Sequence, residues 1–236
     1  MGSVGMVIGR GQLGSASNPV QHLPITETMR EWEVRTQREA RQGVGQGEVE
    51  TGALFDRNGR PIDAYLGTRH SVAIDPTKVN VPETEGATFT HLHPDSGFGG
   101  SLSLTDLKTF SRTNWGELRA TTKQGQLYSI KAGQNADREG LRKWVNSNQR
   151  ILNRNFRNSY YSSLKRATTV LKSGPHKGQV KLISPTGKVT YRAPMNAEQA
   201  DRYARQYSVG MFERTYKKNL AKYGFTYTST KGGRNR

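Results

Sequence analysis

A short segment, from His91 to Asp106, constrains the fold more than any other part of the sequence. Residues 87–90 predict a strand that leads into His91-Leu92-His93-Pro94. Side chains two apart on a strand point the same way, so both imidazoles face one point. After a glycine-rich loop, Ser103-x-x-Asp106 begins an apolar helical pattern, and a first-turn aspartate projects back toward that loop. The order strand end, loop and helix start therefore predicts that two imidazoles and one carboxylate converge.

These three side chains have the chemistry of a metal site. Two imidazole nitrogens, one carboxylate and an open position for water are the ligands of a catalytic zinc ion, so we expect His91, His93 and Asp106 to bind zinc. The chain has no cysteine, which leaves histidine and carboxylate as its zinc ligands. Two interpretations without a metal stay open. Ser103-x-x-Asp106 is by itself a capping box, and His-x-His can be two hydrogen-bonded surface imidazoles.

Strand patterns recur on both sides of this segment. We predict strands at 50–56, 62–67, 69–74, 87–93, 117–122 and 126–131, with an Asn58-Gly59 turn after the first. A single helix, 103–113, is predicted among them. Residues 48–136 are therefore expected to form one α+β domain, built on a mixed sheet with few helices.

The positive charge is unevenly distributed. Residues 1–136 contain 14 Lys+Arg and 14 Asp+Glu, whereas residues 137–236 contain 22 and 5, so the last hundred residues carry the net charge of +17. Helical periodicity begins at the same point, and a hairpin is predicted within 179–192. Residues 137–236 are thus a basic helical extension with a β-hairpin, expected to bind nucleic acid or an acidic protein surface. The alternative is a solvated helical face. The candidate nucleic-acid-binding residues are Arg150, Arg154, Arg157, Lys165, Arg166, Lys217 and Lys218.

The remaining residues are predicted to lie outside the main core. Residues 1–24 are a flexible glycine-rich arm, 25–47 are a short helix and linker, and the tail from Thr226 is a basic, mobile end. The apolar run at the start is too short for a signal peptide, and nothing later approaches the ~20 apolar residues of a membrane span. We expect a cytoplasmic or virion-associated protein with no membrane partner, and other particle proteins are candidate partners.

The segment His91-x-His93-Pro94 to Ser103-x-x-Asp106 resembles the JAMM motif of the JAB/MPN zinc metalloprotease superfamily. The likeness covers about residues 48 to 131 and extends to RadC-like proteins and to the JAB-like domains of phages and mobile elements. It implies that His91, His93 and Asp106 bind zinc and that Ser103 helps hold the oxyanion or the water. The family glutamate falls best on Glu50, with Glu48 second. The loop before Ser103 is longer than in the family pattern, and its glycines allow it to bulge.

The resemblance implies a JAMM-type zinc metallopeptidase or isopeptidase of a phage or mobile element, which hydrolyses an amide bond with zinc-activated water. Glu50 would be the general base. The alternative belongs to another class, a structural or DNA-associated component of a viral particle. Such a protein would keep a JAB-like scaffold beside its basic extension.

Overall fold

The computed structural model of the protein describes residues 12–13, 20–45, 48–68, 71–93 and 101–230. Its strands are β1 (Gln12–Leu13), β2 (Gln21–Leu23), β3 (Thr51–Phe55), β4 (Pro61–Leu66), β5 (Ala73–Ile74), β6 (Thr88–His93), β7 (Glu117–Thr122), β8 (Leu127–Ala132), β9 (Val180–Ile183), β10 (Val189–Arg192) and β11 (Phe225–Thr230). Its α-helices are α1 (Met29–Gln42), α2 (Leu104–Phe110), α3 (Arg138–Thr168) and α4 (Ala197–Lys222). Two 3-10 turns span Pro76–Lys78 and Pro82–Thr84.

A seven-stranded mixed sheet organises the described residues, in the order β11-β8-β7-β6-β3-β4-β2. The central pair β6 and β7 is parallel, and every other neighbouring pair in this sheet is antiparallel. Helix α2 lies in the connection between the two parallel strands, which need a crossover because a tight hairpin turn cannot join them. The structure confirms the predicted α+β class with a mixed sheet.

Helix α1 covers one face of this sheet. Thr28 caps its first turn in a reciprocal pair of hydrogen bonds with Glu31, and Gly43 ends it in the left-handed conformation at φ 64°. Trp32, almost fully buried, anchors the helix, and burying a side chain of this size stabilises the unit by about 2–3 kcal/mol. It packs in a cluster with Ala53, Phe55 and Ala64. Helix α1 does not cover the opposite face of β3 and β6.

The C-terminal residues differ from the prediction. The sequence predicts a mobile tail from Thr226, but Phe225–Thr230 forms an edge strand along β8. Phe225 and Tyr227 are buried, Thr226 and Thr228 are exposed, and the Phe225 ring lies 5.8 Å from the Phe110 ring. An alternation of buried and exposed residues over so short a segment predicts a strand only weakly. The strand is stabilised mainly by its pairing with β8.

The ends of the predicted arm and loops lie partly outside the described residues. Of the predicted arm 1–24, the structure describes 12–13 and 20–24, and β2 within it joins the sheet. The glycine-rich loop 94–100 and residues 231–236 are outside that range. Of the strand predicted at 69–74, residues 69–70 are also outside, and Ala73–Ile74 pairs with β1.

The described residues form two compact units. The first contains the seven-stranded sheet and comprises the residues up to 93 together with 101–146 and 220–230; the second comprises 147–219. The second unit contains parts of α3 and α4 and the hairpin β9–β10, as predicted. Its core is formed by Ala167, Val180, Leu182 and Ala200, with Leu164, Met195 and Tyr203 packed against them. The prediction divided the chain near 137, because charge and periodicity change there.

None of the described helices combines the length and the apolar character that crossing a membrane requires.

Candidate metal centre

Strand β6 directs both histidines to the same side of the sheet. His91 and His93 are two residues apart, and their Nε2 atoms lie 2.9 Å from each other. Their rings meet edge to face, with centroids 4.7 Å apart. His91 is buried, with 1% of its surface exposed, and His93 is partly buried. The two nitrogens thus face a common point at hydrogen-bond distance, as in the interpretation without a metal, but His91 is buried rather than on the surface.

Helix α2 brings the carboxylate of Asp106 to this point. Asp106 Oδ1 lies 3.5 Å from His91 Nε2, and one ligand atom from each of His91, His93 and Asp106 lies within 4.8 Å of the others. The Ser103 backbone N–H donates to Asp106 Oδ2 at 2.7 Å, and the Asp106 N–H donates to Ser103 Oγ at 3.1 Å. The capping box therefore exists, and it fixes Asp106 while leaving Oδ1 directed at the histidines. The two interpretations of Ser103-x-x-Asp106 are compatible.

Glu50, the residue before β3, lies close enough to the same centre to feel the charges of His91 and Asp106. Gly52 of β3 pairs with His91 of β6, and residues opposite each other in a ladder share a face of the sheet. Glu50 is two residues before Gly52 and therefore lies on the same face, on the side of His93. Backbone hydrogen bonds with Thr68 and Gly67, of 2.7 and 2.8 Å, hold Glu50 in this extended position. Glu48, the second choice from sequence, is exposed.

The charges at the centre shift the pKa of its groups in opposite directions. Burial raises the pKa of Asp106, but the His91 charge, its hydrogen bond and further contacts outweigh this and hold the pKa at about 2. Burial lowers the pKa of His91, yet Asp106 and Glu50 together raise it. Burial raises the pKa of Glu50 to about 8, opposed by His91 and assisted by Asp106. Glu50 as a whole residue is partly exposed, but its carboxylate is the part that is buried away from solvent.

Aromatic packing beside the histidines was not predicted from sequence. The Phe89 ring stacks on His91 at 5.7 Å and on Trp115 at 5.1 Å. A Cβ at Gly52 would lie 2.5 Å from Phe89 Cζ, so only glycine fits opposite His91. Gly52 is visible in the sequence directly after Glu50-Thr51. Only the register of β3 and β6 shows that a glycine is required there, opposite His91.

A buried ion pair lies on the face that α1 covers. Glu33 of α1 accepts a hydrogen bond from Thr90 Oγ1 at 2.8 Å and pairs with Arg119 of β7 at 3.0 Å. Thr90 adjoins His91 on β6 and points to the opposite side of the sheet. The pair therefore connects α1 to the strands that carry and flank the histidines, and sequence patterns did not predict it.

The donor set could hold a divalent metal ion. Two imidazole nitrogens and one carboxylate oxygen are zinc ligands. Burying these polar and charged side chains costs free energy unless an oppositely charged group or a metal ion lies beside them. The Nδ1 atom of His91 is buried without a hydrogen bond of acceptable geometry, so Nε2 carries the polar contacts of the ring.

The candidate nucleic-acid-binding residues lie on the second unit. Arg150, Arg154 and Arg157 are exposed on α3 at spacings of four and three, which place them along one helix face. Lys165, Lys217 and Lys218 are exposed as well. Arg166 differs, because it is partly buried and its guanidinium lies 4.8 Å over the Tyr207 ring.

No protein-family profile, curated protein or solved structure matches this chain.

Proposed function

We propose that this protein hydrolyses an amide or isopeptide bond, with a zinc ion held by His91, His93 and Asp106. The observation that carries the proposal is the convergence of these three ligand atoms beside Glu50. The spacing of these residues resembles the JAMM motif, and this resemblance suggests the reaction class, hydrolysis of an amide bond. It also suggests a metallopeptidase of the kind found in phages and mobile elements. When bound, zinc supplies a Lewis acid and lowers the pKa of a water toward ~7.

Glu50 is the general base of the proposed reaction. Its carboxylate accepts a proton from the attacking water and later delivers it to the leaving amine. The pKa of about 8 belongs to the metal-free protein, and positive charge at the centre would lower it toward the range in which Glu50 is ionised at neutral pH.

Ser103 positions the site and remains the predicted oxyanion donor. Its backbone N–H and its Oγ hold Asp106 from both sides, which orients Oδ1. The Ser103 hydroxyl proton is not used in accepting the Asp106 N–H, so it remains available to donate to an oxyanion.

A hydrolysis assay on the full chain tests the proposal. Quenched fluorescent peptides and lysine-linked isopeptides would be incubated with zinc, with EDTA, and with zinc restored. We expect chelation to lower hydrolysis by at least about 10²-fold and zinc to restore it, with no hydrolysis by His93→Gln. His176→Gln is the matched control, because His176 lies in neither His-carboxylate group of the described residues. Hydrolysis that survives both EDTA and His93→Gln would exclude the proposed centre.

We propose further that the second unit binds a polyanion, which suits either the enzyme or the viral-particle component. Arg150, Arg154 and Arg157 are aligned and exposed, and none has a carboxylate within ion-pair distance in the described part of the chain. Unpaired cations on one helix face release counterions from phosphates when they bind.

Salt-dependent binding to duplex DNA tests this second proposal. Replacing all three arginines by alanine should reduce the slope of log K against log salt by about 2–3, because each phosphate contact contributes ~0.9. Arg202→Ala is the control, since Arg202 is also exposed but pairs with Glu198 at 2.6 Å. An unchanged slope in the triple variant would assign DNA binding elsewhere. Metal-free protein that binds DNA and hydrolyses nothing would favour the particle component.

A further inference from the structure

A second group of histidine and carboxylate side chains lies at the edge of the sheet. His22 is on the edge strand β2 and pairs with Tyr65 on β4. Asp63 is two residues from Tyr65 on the same strand and therefore on the same side, and Asp75 directly follows β5. One ligand atom from each of His22, Asp63 and Asp75 lies within 4.8 Å of the others.

Both ring nitrogens of His22 face a carboxylate. Nδ1 lies 3.0 Å from Asp63 Oδ1, and Nε2 lies 3.8 Å from Asp75 Oδ2. A carboxylate only accepts, so the hydrogen bond to Asp63 places the proton of the neutral ring on Nδ1. The lone pair of Nε2 then faces Asp75, and two electron-rich atoms oppose each other without a hydrogen bond.

A metal cation between these two atoms would remove the conflict, as would a proton on Nε2. The 3.8 Å separation is too long for a hydrogen bond but suits two ligands of one ion, because atoms each ~2.1 Å from a metal can be up to about 4.2 Å apart. The carboxylates are already oriented. Asp75 Oδ1 accepts from the Thr77 N–H and hydroxyl at 2.8 Å, which directs Oδ2 at His22, and Asp63 Oδ1 accepts from the Ala64 N–H at 2.9 Å.

Tyr65 lies beside this group of side chains. The residue is fully buried, and its hydroxyl has no hydrogen-bond partner of acceptable geometry. Its ring centroid is 5.7 Å from that of His22. Burial raises the pKa of Tyr65, and the charges of Asp63 and Asp75 and the contact with the Asp63 side chain raise it further, whereas the contact with the Asp75 backbone lowers it. Asp63 is therefore already close to this hydroxyl, and a small rotation of its carboxylate would complete the hydrogen bond.

We propose that His22, through Nε2, and Asp75 hold a second divalent cation, zinc or manganese, while Asp63 orients the imidazole through Nδ1. One imidazole nitrogen and one carboxylate oxygen, completed by water, are donors of the kind that these ions accept. The ion would tie β2 to the turn after β5. The half-exposed His22 side chain leaves solvent positions on the ion, so we expect it to exchange readily. This site does not depend on the proposed hydrolase.

Equilibrium dialysis of the full chain against zinc, with bound metal measured by mass spectrometry, tests the site. We expect about two ions per chain in the unaltered protein and about one in His22→Gln or in Asp75→Asn. The amide in Asp75→Asn keeps an oxygen that can accept from Thr77, so this variant preserves the local turn. His93→Gln should also bind about one, the double variant with His22→Gln none, and the control His176→Gln about two. Circular dichroism confirms that each variant is folded.

The outcomes separate the two proposals. Loss of one ion in both His22→Gln and Asp75→Asn supports the second site, whatever His93→Gln does. If both edge variants retain the full complement of zinc, and manganese binding is likewise unchanged, the second site is overturned while the first stands or falls on His93→Gln alone.

Discussion

The two His-carboxylate groups lie on one face of the sheet, yet their surroundings differ. Ladder pairs link His22 to Tyr65, Tyr65 to Gly52, and Gly52 to His91, so one row across four strands has a histidine at each end. His91 is 1% exposed and is stacked against Phe89, whereas half of the His22 side chain is exposed at the sheet edge. The type of ligand alone therefore does not determine what such a group does. Burial and a neighbouring base favour chemistry at the His91 end, and exposure favours a structural ion at the His22 end.

The sharpest test of this difference removes the base and leaves the ligands. Glu50→Gln should retain zinc but lower hydrolysis by about 10²–10⁴-fold, because the water loses its proton acceptor. Glu48→Gln is the matched control and should be close to the unaltered protein, since Glu48 is exposed. Equal losses in both variants would contradict the assignment. Steady-state rates and metal content of the same samples provide the measurement.

The buried end of the row should depend on the ion pair behind it. Glu33→Ala leaves the Arg119 guanidinium without its partner, and we expect the free energy of unfolding to fall by about 3–5 kcal/mol. Denaturation in urea measures this. The exposed Glu198→Ala, which breaks the surface pair with Arg202, serves as the control and should change stability by less than about 1 kcal/mol.

The middle of the row is tested at Gly52, which has no side chain. Gly52→Ala would force its Cβ against the Phe89 ring, and the overlap should cost about 1–3 kcal/mol and reduce zinc affinity at His91 more than at His22. Adding Phe89→Leu should recover part of the loss. If Gly52→Ala and the double variant are both as stable as the unaltered protein, the packing described here is incorrect.

The stability of the metal-free protein should depend on pH because of Glu50, at the His91 end of the row. The pKa of Glu50 is raised by burial from 4.5 to about 8, so its contribution to stability is complete below pH 4.5 and is lost as pH rises through 8. With EDTA present, we expect stability to fall across this window by on the order of 1–2 kcal/mol after solvent screening, and Glu50→Gln to remove that part of the slope. Thermal melts at intervals of pH provide the curve. An identical slope in Glu50→Gln would show that other groups cause it.

The exposed end should be the least sensitive when no metal is bound. His22→Gln in EDTA should change stability by no more than about 0.5 kcal/mol, because the side chain is half exposed. In excess zinc the unaltered protein should gain stability that the variant lacks. A large loss in EDTA would mean that His22 is a packing residue and would remove the contrast between the two ends.

Local patterns predicted the His91 end well. Period-two alternation placed His91 and His93 on one side of a strand, and the capping pattern placed Asp106 in the first turn of α2, because both depend on residues close together in the sequence. The α+β class also followed from local periodicity.

Long-range pairing lay beyond those patterns. Glu33 meets Arg119 across 86 positions, and Gly52 opposes His91 only in the register of β3 and β6. His22, Asp63 and Asp75 come from three separate elements, without a spacing that marks them. The strand at Phe225–Thr230 forms because β8 offers an edge, and that information is not contained in the segment itself.

The proposed function requires that His91, His93 and Asp106 hold one metal ion together. Anomalous diffraction at the zinc edge, from crystals of the full chain grown with zinc, tests it most directly. We predict a peak about 2.0–2.2 Å from the Nε2 atoms of both histidines and from a carboxylate oxygen of Asp106. Saturating zinc with no peak among these three side chains would contradict the account.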